Sequence, residues 1–508
     1  MTTETHYDVA IIGAGMSALA AGIRLAHFGK KVCLFERHNA VGGLNSFYSV
    51  GGRKFDVGLH AMTNFVPREV RGTPLGKILR QLRLERDALD LCPQRGSAVR
   101  FPGVELAFTN DFAVLEAEVA RAFPAQIDGF RRFVAEVRAF DDTVTEPPGF
   151  TARTMLRRHL TDAVLEDMLL CPLCYYGSAT PHDMDALQFV IMFKSIFFEG
   201  FARPFEGVRV LLRLLTERLR ECGGERRMKC GVRRLHTRTG RVTALELDNG
   251  ETVTADWVLS SAGASETLGL CAAPAGAGEG AGREPAGAAG GQGGAAPRFS
   301  HAASDSAAPV SPSFGDAMSA ERLAFVETIQ VIDRQPGDLG WGETIVFFND
   351  SERFHYARPS GQVDLRSGVI CIPNNFDFGG RVMPEGCVRV TCLANFAAWE
   401  CLPEAEYRAA KTRWFGEMTA SARRFLAPLA AGTPEPTTLA TDLFTPLTVR
   451  RYTGHLGGAI YGAPRKHRDG RTAFSNLVLI GTDQGFLGIT GAMLSGIAMA
   501  NQHVLTAR

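Results

Sequence analysis

The chain has 508 residues, 45% hydrophobic and 21% charged, which suffices for one large composite domain or two to three ordinary ones and excludes a disordered or fibrous protein. Lys and Arg number 55 against 54 Asp and Glu, for a net charge of +1. Without a basic excess there is no general electrostatic footprint for nucleic acid, so a partner must be recognised by local shape or chemistry.

In chain order, Asp8-Val9-Ala10-Ile11-Ile12 predicts a buried strand ending at Gly13, followed by a helix from about Ser17 to Phe28 and a second strand, Lys31 to Phe35. Residues 71–170 read as a mostly helical layer, for example Leu75 to Leu84 and Phe112 to Phe123. From Gly231 to Ser261 the pattern changes to a β-meander, Arg241 to Leu247, a turn at Asp248-Asn249-Gly250, then Thr252-Val253-Thr254 and the returning strand Trp257 to Ser261. The tract Ala272 to Ala308 is dominated by Ala, Gly, Pro and Ser and is expected to be a mobile surface loop. Ala324 to Ile332, Thr344 to Asn349 and Val388 to Asn395 predict a second sheet, and the chain closes with Leu477 to Ile480, a loop, and a helix to about Leu505.

The eleven cysteines are odd in number and scattered, and no basic-then-apolar leader precedes Tyr7, which reads as a reducing cytoplasm. Cys171 and Cys174 make one CxxC with no second pair or matching histidines, so core or helix-surface thiols are expected rather than zinc. Pro181 to Asp185 reads as a helix N-cap cluster rather than a metal site, and no metal is expected. No apolar run is long enough for a spanning helix, which leaves attachment at a membrane surface open.

Gly13-Ala14-Gly15-Met16-Ser17-Ala18 is a GxGxxA fingerprint between strand and helix, with Glu36 about 20 residues on at the end of the second strand. Gly13 allows the tight turn, Gly15 lets the backbone approach a pyrophosphate at the helix N-terminus, Ala18 keeps helix and strand close, and Glu36 accepts the ribose hydroxyls. The pair Gly42-Gly43 soon after Glu36 lets the chain run back against the cofactor, which favours flavin over nicotinamide.

These residues, with Arg37, Phe55-Asp56-Val57-Gly58 and Gly481-Thr482-Asp483 through Gly491-Ala492, resemble the FAD-dependent amine-oxidase superfamily, and within it phytoene desaturase, carotenoid isomerase and retinol saturase. Order and spacing match over residues 6–66, about 200–262, and about 475 to the end. The resemblance implies an α/β fold: a Rossmann-type, GR2-like FAD-binding domain built from residues 1–70, 205–270 and 440–508, interleaved with an α+β substrate-binding domain of residues 71–204 and 314–439, with 271–313 as the low-complexity loop. It places Gly13, Gly15, Met16, Ser17, Ala18, Glu36, Arg37, Gly42, Gly43, Leu44 and Asn45 on the cofactor, together with Gly58, Leu59 and His60. It also implies Gly481 on the cofactor, the Val232 backbone on the adenine, Asp483 at the ribityl chain, and Gly488, Ile489 and Thr490 at the flavin pyrimidine edge, where a helix N-terminus would stabilise negative charge.

The activity implied is desaturation, saturation or isomerisation of an apolar isoprenoid or polyene by hydride exchange with flavin N5. Quinone or oxygen would be the acceptor of any net electrons. Alternatives are an amine oxidase of a smaller polar substrate, a lipid-binding escort on the same fold, or a non-redox flavoenzyme. His60 is the catalytic candidate because histidine moves protons near neutral pH, with a packing or hydrogen-bonding role as the alternative. Phe189, Phe193, Phe197 and Phe201 fall at helical spacing, as core or as the lining of a tunnel or membrane-facing entrance from which Lys194 would reach headgroups.

Overall fold

The computed structural model describes residues 5–58, 60–142, 148–271 and 322–506. Leu59 and, from residue 272 on, the expected low-complexity loop lie outside the described residues. Two seven-stranded sheets organise the chain.

The first sheet is centred on the strand Thr5–Ile12, which pairs in parallel with Val32–Glu36 on one side and Thr252–Ser260 on the other. Val9, Ala10 and Ile11 are fully buried, which explains the near-continuous apolar run of a parallel strand covered on both faces. Glu225–Met228 extends one edge in parallel, and the antiparallel strands Val232–Arg238 and Arg241–Leu247 extend the other. Leu477–Leu479 returns from the far end of the chain to pair with Thr252–Ser260. On one face the helix Met16–His27 lies against the helix Gly488–Met499. A Cβ on Gly496 would sit 2.0 Å from the Ser17 carbonyl oxygen, so this backbone-to-backbone packing requires glycine there.

The second sheet runs Thr438–Phe444, Ala324–Ile332, Gly386–Ala394, Val363–Cys371, Ile345–Asn349, Ser97–Phe101, Val104–Phe108. The helices Phe112–Ala122, Ile127–Ala139, Ala163–Gly177 and Ala186–Phe193 form a core with one of its faces, and the helix Glu404–Arg423 packs on the other. Two expectations are corrected here. The stretch 71–170 contains a hairpin of this sheet, Ser97–Phe101 and Val104–Phe108, whose Pro102-Gly103 turn is a signal the helical reading passed over. The boundary near 440 cuts through Thr438–Phe444, which belongs to the second sheet because it pairs with Ala324–Ile332.

The aromatic stripe is core. Phe189, Phe193, Phe197 and Phe201 are at most 1% exposed, and their rings meet Phe133 and Phe108 at 5.2 Å from neighbouring helices and the hairpin. They present no face to a membrane. Lys194 turns back, donating to the Phe140 carbonyl at 2.9 Å and to Asp142 at 3.0 Å. Among the described residues no helix is long and apolar enough to cross a membrane.

Candidate functional site

A cavity of about 1410 Å³ opens at the carboxyl end of the first sheet. It exceeds the ~300–1,000 Å³ of an ordinary small-ligand pocket, as two linked nucleotides require. Gly13, Gly15, Met16 and Ser17 line it, and the helix Met16–His27 has no side-chain cap, so its first N–H groups are available to an anion. Ala18 lies behind them, buried in the core. The Gly42 turn returns against this cradle through a bridge between Gly15 and Gly42. At φ 112° a Cβ on Gly42 would lie 2.8 Å from backbone of Asn45 and Ser46, so the turn admits only glycine.

Glu36 lines the cavity with its carboxylate fixed by two backbone donors, the Ala14 N–H and the His38 N–H, each at 2.8 Å. Each oxygen keeps acceptor capacity for a ribose hydroxyl. Arg37 pairs with Asp248 at 3.6 Å, and Gly43, Leu44, Asn45, Val232 and Gly481, together with Thr482 and Ala492, also line the cavity.

Asp483 departs from expectation. Its side chain is 1% exposed, and its carboxylate accepts from the Ala264 and Ala463 N–H groups at 2.7 Å each, while its neighbours Gly481 and Thr482 line the cavity. A buried carboxylate is held by such donors because they replace its lost hydration. Lys466, 3.9 Å away, is lowered to about 8 by burial, partly offset by Asp483.

Beyond this cavity, the segment after Gly58 passes the N-terminus of Gly488–Met499. Thr490 Oγ1 donates to the Thr63 carbonyl at 3.3 Å, while Gly488 is exposed, Ile489 is buried, and this helix too lacks a side-chain cap. Near this crossing His60, 14% exposed, places Nε2 at 3.2 Å from Glu327 Oε1 and 3.2 Å from Thr391 Oγ1. Arg389 hydrogen-bonds the same Glu327 oxygen and reaches the Asp56 carbonyl at 3.1 Å. Burial alone would raise the Glu327 carboxyl, but Arg389 and His60 outweigh it and hold it at about 2. The Tyr176 ring lies 6.4 Å from His60, with its buried hydroxyl unpartnered among the described residues and pushed well up by burial.

Glu327, Arg389, Thr391 and Tyr176 are absent from the sequence-based site. The signal was present: Glu327 and Arg389 are lone charges inside otherwise apolar strands, Ala324–Ile332 and Gly386–Ala394, whose register sets Glu327 opposite Thr391. Cys171 and Cys174 are buried within the helix Ala163–Gly177, where burial pushes their thiols up. Asp185 caps the helix Ala186–Phe193 through the Gln188 N–H at 2.9 Å.

Cradle, carboxylate and uncapped helix define a dinucleotide-binding α/β protein, and residues 11–73 match the family described as the NAD(P)-binding Rossmann-like domain. The fold is shared with a triple variant of putrescine oxidase, at a TM-score of 0.60 and 16% identity over 99% of this chain and 100% of that one. By sequence the chain is similar to the neurosporene-forming phytoene desaturase of Rhodobacter capsulatus, 27% identical over 292 residues, 52% of this chain and 54% of that protein. It is also similar to prolycopene isomerase 2 of an Oncidium hybrid cultivar, 21% identical over 295 residues, 52% of this chain and 49% of that protein. The chain thus spans about half the length of the curated relatives it matches. The α/β fold class and the resemblance read from the motifs agree with these findings.

Proposed function

We propose that the protein is an FAD-dependent oxidoreductase acting on an apolar isoprenoid or polyene substrate. The observation that carries this reading is the large cavity on which the uncapped helix at Gly15, the Gly42 return and the fixed Glu36 carboxylate converge. The relatives' names, a phytoene desaturase and a prolycopene isomerase, support the substrate class. When bound, the flavin would exchange an electron pair with a substrate C–H or C=C bond.

The chain's own residues then have separable tasks. N–H groups from Gly15 to Ser17 hold the pyrophosphate at the positive helix end, and Glu36 takes the ribose hydroxyls. The uncapped N-terminus at Gly488 to Thr490 sets partial positive charge where the flavin pyrimidine edge would lie. His60 Nε2 faces the ionised Glu327 carboxylate, and a neutral ring that donates there presents Nδ1 as an acceptor. The half-buried Tyr176 ring lies beside it and packs in turn against the buried Phe201 and Phe347 rings. A membrane surface as the source of substrate loses the aromatic stripe as support, since those rings are core.

The test is direct. Purified protein should be yellow and release FAD, not FMN, on denaturation. Incubated anaerobically with a panel of C40 polyenes, it should convert one of them, and the product distinguishes desaturation, saturation and isomerisation. Flavin bleaching by an amine panel with no change in any polyene would refute the substrate class.

A further inference from the structure

At the glycine cradle itself, Gly13 to Ser17 offer the cofactor's two phosphate charges backbone N–H groups and no cationic side chain. The turn beside the cradle carries Leu44 and Asn45, and the nearby Arg37 is engaged by Asp248. Neutralisation by a side chain must come from elsewhere. The opposite wall is built by the helices Phe396–Glu400 and Pro446–Thr453, which pack on each other, with Pro446–Thr453 also packed against the Gly43–Asn45 turn. Tyr452 of that helix meets His38 edge-on at 5.2 Å, bringing the helix against the segment that follows Glu36.

Besides Arg37, four arginines line the cavity: Arg322 beside the helix Ala264–Cys271, Arg358, and Arg450 and Arg451 of the helix Pro446–Thr453. Arg322 is matched by Glu266 at 2.8 Å and Arg450 by Glu400, so these two bring no net charge. Arg358 and Arg451 have no carboxylate partner within ion-pair distance among the described residues, and both are exposed to the cavity and solvent. Arg358 is held toward the same wall by its neighbour Pro359, whose carbonyl accepts from Asn395 at 2.9 Å, one residue before the Phe396 helix.

We propose that Arg451 and Arg358 are the phosphate-neutralising cations of the dinucleotide site, supplied across the cavity from the wall facing the glycine cradle. Two guanidinium charges balance the two charges of a diphosphate, and guanidinium forks suit its oxygens. Cofactor binding thereby joins the first sheet to the wall made by the two helices, so occupancy also stabilises the packing of one on the other. This inference rests on the flavin reading for the cofactor's identity, but its charge logic requires only a diphosphate-linked nucleotide.

The experiment strips the full chain of bound cofactor and titrates the parent and the double variant Arg358→Gln, Arg451→Gln with FAD, ADP and adenosine by calorimetry, at low and high salt. ADP and FAD should bind the variant at least tenfold more weakly, adenosine should bind both proteins alike, and the salt dependence of ADP binding should shrink in the variant, since screening acts on the charge pairs removed. Arg451→Lys should recover part of the ADP affinity, and ligand-free melting, unchanged for exposed side chains, checks the fold. If the double variant binds ADP and FAD as tightly as the parent, with the same salt dependence, the proposal is wrong while the flavin reading stands. If the parent binds ADP through these arginines but never FAD, the flavin reading falls and the arginine assignment survives.

Discussion

Replacing Glu327 by Gln keeps the shape of the side chain and removes the only charge facing His60 and Arg389 from the strand Ala324–Ile332. The carboxyl stands at about 2 against an ordinary 4.5, a preference for the ionised form of roughly 3 kcal/mol. Arg389, 4% exposed, is left as a buried charge without its carboxylate. Breaking such a pair costs about 3–5 kcal/mol, and the two routes agree. The expected result is a loss of that size in urea unfolding of the full chain near neutral pH, with most of it restored in Glu327→Gln, Arg389→Met, because removing both partners leaves no orphaned charge. A depressed carboxyl contributes fully above its unfolded value and loses its contribution as pH falls through the folded one. The difference between parent and variant should therefore shrink as pH is lowered from 4.5 toward 2. A single variant within about 1 kcal/mol of the parent, with a gap indifferent to pH across that window, would refute the account of this cluster.

Three further outcomes follow from the packing. Gly15→Val should fold normally but hold no cofactor: a Cβ there meets nothing nearer than the Gly42 carbonyl at 3.9 Å, so the branch intrudes on the cavity alone, as flavin content and melting temperature will show together. Gly496→Val should lose both cofactor and stability, since its Cβ has 2.0 Å to the Ser17 carbonyl and the helix must move off the cradle; a variant that melts like the parent contradicts this. Phe197→Ala should cost about 3–5 kcal/mol as a core truncation, measured by denaturant unfolding, and should leave liposome association no different from the parent's; selective loss of liposome binding with stability intact would restore the entrance reading.

Local chemistry was legible in the sequence wherever the constraint is itself local. The strand, Gly13 to Ala18, the following helix and Glu36 must follow within about 25 residues for a backbone to cradle a pyrophosphate, so this unit is legible from spacing alone, and Gly13 to Ser17 and Glu36 line the cavity. The strand Ala324–Ile332 was equally plain from its apolar run. What periodicity cannot state is what covers a face. The Phe193 and Phe197 stripe has one pattern whether it meets lipid or protein, and only the helices and hairpin packed on it decided for core. The partners of Asp483 are two amides from Ala264 and Ala463, distant in sequence, which only the tertiary fold brings to a buried carboxylate. His60, Glu327 and Arg389 become one cluster only when residues separated by 267 positions are brought to 3.2 Å, because a charge can be buried only where the tertiary fold delivers its counter-charge.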